Sequence, residues 1–366
     1  MKKYNLLLLC LCFLATTLTA QYQFKTVTKN DCTEVKSQDN TGTCWSFATA
    51  SFLESELLRM GKGKHNLSEM FVVKNVYRDK ANNYMLRQGK ANFSQGSLSH
   101  DLMRVAGEKG LVPDGVFSGL LDGSTRHNHS EMEAALKGLL DGVRKQKRLS
   151  TKWKVAFDAV SDVYLGATPQ KFDYQGKSYT PQSFAKEMGI NADNYVSITS
   201  YTHHPFYETF VLEIPDNYSN GSFYNIPIDE LKTIVENAIT EGYSVAWDGD
   251  VSEKGFSAKE GIAVLPVDEK REDLFKKPGK EQAVTQALRQ STFESYSTTD
   301  DHLMHLVGKA KDQGGATYYL IKNSWGEISD YKGYLYMSEA YLSLKTVAIM
   351  VHKDAIPQGI RTKMGL

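Results

Sequence analysis

The segment Gln38-Asp39-Asn40-Thr41-Gly42-Thr43-Cys44-Trp45-Ser46-Phe47-Ala48 limits what this chain can fold into more than any other. It sets one cysteine at the head of an apolar helical run, with a glutamine six positions upstream. Trp45, Phe47, Ala48, Phe52 and Leu53 make the first turns apolar on almost every side, so the helix is expected between other layers. Gly61, just past Met60, is a natural stop. A sulfur at a helix N-terminus meets the positive end of the helix dipole, which favours the thiolate. The thiolate is the form that attacks a carbonyl carbon. A glutamine N–H beside it would meet the oxyanion that develops there. A small buried cysteine is the commoner fate of this residue, so the reading needs a histidine partner.

That partner stands in Asp301-His302-Leu303-Met304-His305-Leu306-Val307-Gly308, followed by Thr317-Tyr318-Tyr319-Leu320-Ile321-Lys322-Asn323-Ser324-Trp325-Gly326. Both runs read as strands, joined by a turn at Lys311-Asp312-Gln313-Gly314-Gly315. A hairpin centred between Asp312 and Gln313 sets His302 opposite Asn323, within side-chain reach. The asparagine would accept a hydrogen bond from the imidazole and fix its tautomer, leaving the other nitrogen for the thiol. The same register sets His305 opposite Leu320, as a packing or surface histidine.

Gln38, Gly42-Thr43-Cys44-Trp45-Ser46-Phe47-Ala48, His302 and Asn323-Ser324-Trp325-Gly326 together, in this order, resemble the papain-like cysteine peptidases. The resemblance implies that Cys44 is the nucleophile, His302 its general base and acid, and Asn323 the residue that orients His302. It implies an oxyanion hole from Gln38 and the Cys44 backbone N–H, and a Trp325 ring shielding the His302–Asn323 bond. Trp45 belongs to the same motif. Gln95, Gly96 and Ser97 occupy the place of a loop that forms one wall of the family's cleft and pairs with the substrate backbone. Gln95 replaces a glycine usual there, while Gly96 keeps the permissive backbone.

The stretch from 130 to 245 exceeds a minimal domain of that kind. It holds helical runs from Glu131 to Arg148 and from Trp153 to Tyr164, and then Leu165-Gly166-Ala167-Thr168-Pro169. His204-Pro205-Phe206-Tyr207 and Tyr224-Asn225-Ile226-Pro227-Ile228-Asp229-Glu230-Leu231 follow. This series is similar to the bleomycin hydrolase and aminopeptidase C branch of the papain clan, from about Gln38 almost to the C-terminus. The branch implies a homohexamer with enclosed active sites, and a C-terminal arm in the cleft that restricts cleavage to N-terminal residues. Leu366 would then present its carboxylate to the substrate. The expected fold is α+β and papain-like with two lobes, a helical one and an antiparallel β-barrel-like one, plus an inserted α/β extension. Residues 21–130 would form the helical lobe, 131–245 the insertion and 246–366 the β lobe with the arm. The expected reaction is peptide-bond hydrolysis through a thioester acyl-enzyme, by an aminopeptidase. A papain-like endopeptidase shares all of this chemistry, and a non-catalytic binding protein on the same scaffold is the third reading.

Basic and acidic residues balance at 43 each, and no block of like charge calls for nucleic acid or a membrane surface. Arg144-Lys145-Gln146-Lys147-Arg148 reads as a solvated helix end. Lys2 and Lys3, apolar Leu6 through Ala15 and small residues up to Ala20 read as a signal peptide over 1–20. The chain would be exported, to the periplasm or the medium, with no membrane span. Its removal takes Cys10 and Cys12 and leaves Cys32 and Cys44, read as two separate thiols because a bridge would consume the nucleophile. No cofactor is expected, and no metal, since His203-His204 has no partner pair at ligand spacing.

Overall fold

The computed structural model describes residues 21–366, so the expected signal peptide lies outside the described residues. Six helices precede the central strands: α1 (Cys44–Arg59), α2 (Glu69–Leu86), α3 (Ser99–Glu108), α4 (Ser130–Val143), α5 (Lys152–Leu165) and α6 (Pro181–Met188). Later come α7 (Ile228–Thr240), α8 (Gln286–Glu294), α9 (Glu339–Lys345) and α10 (Gln358–Lys363). The strands are β1 (Lys25–Lys29), β2 (Phe172–Tyr174), β3 (Lys177–Tyr179), β4 (Tyr195–Thr199), β5 (Thr209–Val211), β6 (Ser222–Asn225) and β7 (Val245–Gly249). They continue with β8 (Phe256–Ser257), β9 (Ile262–Ala263), β10 (His302–Lys311), β11 (Thr317–Lys322), β12 (Tyr334–Ser338) and β13 (Thr346–His352).

All strands except the β2–β3 hairpin join one sheet in the order β5-β6-β4-β13-β7-β10-β11-β12-β9-β8, with β1 paired to β10. The fold is α+β as expected, but the sheet is open and not closed into a barrel. It is also mixed, because β4 pairs with β6 and β9 with β12 in parallel. Residues 131–245 are no appendage to this sheet, since β4 pairs directly with β13 from the end of the chain.

Alternation along the central strands gives the sheet two apolar faces. Leu303, Ala246, Ala348 and Met350 pack with Trp45, Phe52 and Leu53 of α1 in one cluster. Met304, Trp247, Ile349 and Val351 pack with Leu231, Ile234 and Val235 of α7 in another. α1 is buried over nearly its whole length, its Ser46, Thr49, Ser51 and Glu54 included. It passes behind the sheet and brings its first residue, Cys44, to the end where β10 begins. Among the described residues no helix is long and apolar enough to cross a membrane.

Candidate active site

His302 opens β10, and its backbone pairs with Gly249 of β7. Its Nε2 lies 2.7 Å from Asn323 Oδ1, just past the end of β11. The contact forms in a register other than the expected one. His305 pairs with Lys322, not Leu320, and a bulge between Leu306 and Gly308 shifts the ladder by a residue. Asn323 is therefore not directly across from His302; it reaches the ring from beyond the last paired residue. The Trp325 ring lies over the imidazole, with centroids 4.5 Å apart. Asn323 Oδ1 also accepts the Ser324 N–H at 2.7 Å, which fixes the amide's orientation.

Cys44 is the first residue of α1. The backbone N–H of Leu303, the residue next to His302, bears on its sulfur and favours the thiolate. Burial pushes the thiol up to about 12, and the Leu303 N–H works against that rise. The dipole argument from sequence left out this desolvation. Burial also pushes His302 down to about 4, opposed by the Asn323 bond and by the charge of Asp301. Both shifts favour the uncharged forms, a thiol and an unprotonated imidazole.

Gln38 is tied to the segment after β11 rather than to α1. Its N–H donates to Ser324 O at 2.8 Å, and its Oε1 accepts Ser324 Oγ–H at 2.7 Å. Its Nε2 donates to Thr41 O at 2.7 Å, across the turn that leads to Cys44. Ser324, absent from the expected set, thus joins the Gln38 and Asn323 sides of the site. Its place in the Asn323-Ser324-Trp325-Gly326 run was the available signal.

The loop before α3 behaves unevenly. Trp45 Nε1 donates to Gln95 O at 2.9 Å and holds the loop against the nucleophile helix. Gln95 Oε1 accepts the Gly42 N–H at 2.7 Å while its Nε2 donates to Glu133. Gly96 needs its missing side chain, because a Cβ there would overlap the Asp216 carboxylate. Ser97 is buried, and its hydroxyl donates to Asp101 Oδ2 at 2.6 Å at the start of α3. Leu366 is the larger correction. It packs with Ile360 and Met364 in the α7-side cluster, across the sheet from α1 and Cys44. α10 is pinned there by Lys363–Glu230 and Arg361–Asp354 ion pairs.

Three histidines singled out in sequence stand apart from this site. His305 is fully buried, with Nδ1 2.8 Å from Ser51 Oγ, which also receives Lys322 Nζ–H. His203 and His204 both bond to Glu213, at 3.2 and 2.8 Å, a third ligand type that adjacent spacing in the sequence had hidden. Cys32 and Cys44 are both free thiols.

Residues 159–365 match the Peptidase C1-like family, and residues 19–110 match the papain family cysteine proteases. The chain belongs to the Peptidase C1-like family. As a member of that family it is a cysteine peptidase of the aminopeptidase C and bleomycin hydrolase branch. It is 25% identical to aminopeptidase G of Lactobacillus delbrueckii subsp. lactis, over 87% of this chain and 80% of that one. It is 24% identical to bleomycin hydrolase of Rattus norvegicus, over 94% of this chain and 86% of that one. Among solved structures it is similar to PepW of Lactobacillus rhamnosis HN001. The TM-score is 0.71 at 20% identity, covering 93% of this chain and 84% of that one.

Proposed function

We propose that the chain is a cysteine aminopeptidase that releases N-terminal residues through a thioester on Cys44. The observation that carries the assignment of roles is the 2.7 Å contact between His302 Nε2 and Asn323 Oδ1. With Nε2–H donated to the amide, Nδ1 is the basic nitrogen. As Cys44 Sγ bonds to the scissile carbonyl carbon, Nδ1 takes the thiol proton and later gives it to the departing amine. Water then attacks the thioester, passing a proton to His302, and the acid leaves as Cys44 is restored. The negative oxygen of each tetrahedral species falls to the Cys44 N–H and the Gln38 side chain, which would have to turn from Thr41 toward it. Asn323 acts through His302 and is a positioning residue.

The relatives named aminopeptidases support the exopeptidase reading. The placement of Leu366 favours a second reading, an endopeptidase, because within one chain the tail does not fill the cleft. Export to the periplasm or medium stays part of the proposal, on the strength of the charged and apolar runs in residues 1–20. So does a homo-oligomer, a hexamer by family resemblance. The deciding experiment compares hydrolysis of one peptide series with free and with acetylated N-termini, per titrated thiol. Cleavage confined to free N-termini supports the aminopeptidase; internal cleavage of acetylated peptides refutes it.

A further inference from the structure

Three carboxylates distant in the sequence converge beside Cys44. Asp248 lies on β7 between Leu303 and Ala348, and so on the α1 face of the sheet. It lines a small cavity with Leu98, Ser99, His100 and Leu303. It is 4% exposed. Both of its carboxylate oxygens are buried, and no N–H or O–H among the described residues donates to them. Asp300, two residues before His302, is its neighbour and has one oxygen, Oδ2, in the same condition. The two carboxyls bear on each other, and burial pushes both toward the protonated form. Asp216, from the β5–β6 loop, extends its carboxylate over Gly96. Asn92 holds Asp216 Oδ1 at 3.0 Å, and Oδ2 receives no donor.

The cations of this region donate their hydrogen bonds to other groups. Lys80 donates to the carbonyls of Ser94 and Gly96 and makes no hydrogen bond to the three carboxylates, although its charge acts on Asp216 and Asp300. Arg289 donates to the carbonyls of Ser200, Ser343, Leu344 and Val347. Lys345 pairs with Asp250 and Glu253. Burying carboxylates without partners is costly, and such groups persist where something outside the chain completes them. Burial is the first force holding the Cys44 thiol neutral, and the carboxyls of Asp300, Asp248 and Asp216 add to it. Their field therefore reaches the sulfur, where the scissile carbonyl must come to rest.

We propose that Asp216, Asp248 and Asp300 form the receptor for the α-ammonium of the peptide substrate, beside Gly96 and Cys44. An α-ammonium is two bonds from the carbonyl under attack and brings three N–H donors to a place where three carboxyls supply acceptors. This inference rests on the aminopeptidase reading, and it supplies within one chain the negative charge that Leu366 does not bring.

The test uses the full chain and aminoacyl-coumarin probes with free and with N-acetylated amines, including N-acetylated probes carrying arginine before the cleaved bond. Asp216→Asn and Asp248→Asn are compared with wild type, per alkylation-titrated Cys44. Asp216 sits in a half-buried loop, so its variant keeps the test decisive if Asp248→Asn does not fold. The expected result is a fall of about ten- to a hundredfold in kcat/KM for free amines relative to acetylated probes. A free-to-acetylated ratio that stays at the wild-type value in folded variants overturns the receptor while leaving the aminopeptidase intact. A loss confined to the acetylated arginine probes overturns it in favour of a side-chain pocket. A wild-type protein with no preference for free amines overturns both.

Discussion

Replacing Asn323 by alanine isolates the contact on which the assignment of His302 rests. The change removes an acceptor 2.7 Å from Nε2 and, at the same distance, the acceptor of the Ser324 N–H. His302 becomes an imidazolium each time it carries the proton, and a hydrogen bond to a charged group is worth about 1.5–3 kcal/mol. That corresponds to a fall of about 10- to 150-fold in kcat. KM should hardly move, because the amide does not face substrate. The stranded Ser324 N–H should lower stability by about 1–3 kcal/mol. Asn323→Asp keeps an acceptor for both N–H groups and should recover most of kcat. Its charge would raise the imidazole pKa and shift the acid limb of the pH profile upward. Steady-state kinetics per titrated thiol, with denaturant melts, measures both effects. A kcat within about twofold of wild type for the alanine variant would refute the reasoning, as would a loss carried wholly by KM.

Cys44→Ala should abolish turnover with little change in melting temperature, and a thiol alkylating agent should block activity by labelling Cys44. Survival of activity in the alanine variant would end the assignment. Deleting Met364 to Leu366 should cost about 2–5 kcal/mol, as for other buried methionines, since Met364 is buried in the α7-side cluster. The same deletion should leave the free-to-acetylated substrate ratio unchanged; admission of N-blocked peptides on truncation would contradict the placement of the tail. Burial, followed by the charge of Asp216, raises Asp300 to about 7 in the folded state, against about 3.9 in an unfolded chain. The folded state therefore holds a proton that the unfolded state releases, and stability falls as pH rises from about 4 to about 7. Asp300→Asn should melt above wild type beyond about pH 7 and level with it near pH 4; a pH-independent difference would exclude the shift.

The site's chemistry was legible because its residues lie in short runs of defined composition. The path of the backbone between them was less so. The His302–Asn323 contact followed from the motif, whereas its expected register failed at the turn, because Lys311 pairs with Thr317 and the hairpin centres on Gly314; the Leu306–Gly308 bulge then moves the ladder by one residue. An inserted residue of that kind leaves no mark in hydrophobic alternation. Ser97 looked like part of a cleft loop, but a polar residue before a helix serves equally well inside it, and here Asp101 claims its hydroxyl. Leu366 was assigned by resemblance alone. Ile360 and Met364 carry the apolar spacing of a docked helix, and that local signal pointed to where the tail lies. Asp216, Asp248 and Asp300 could not be associated in advance, since only the pairing of β7 with β10 and the fold of the β5–β6 loop bring them together. An aspartate inside the buried run Val245-Ala246-Trp247-Asp248 was the one hint available.

Gln38 and Ser324, 286 positions apart, are joined side chain to side chain and backbone to backbone. At ribosomal speeds of about 5–20 residues per second, roughly 15–60 s separate the synthesis of Cys44 from that of Asn323. Throughout that interval the nascent polypeptide carries a thiol with neither its base nor the segment that fixes Gln38. Hydrolytic competence therefore has no partial form. It arrives with closure of the most sequence-distant contacts, the slowest class to form, so a polypeptide still being made is not yet able to cut itself or its neighbours.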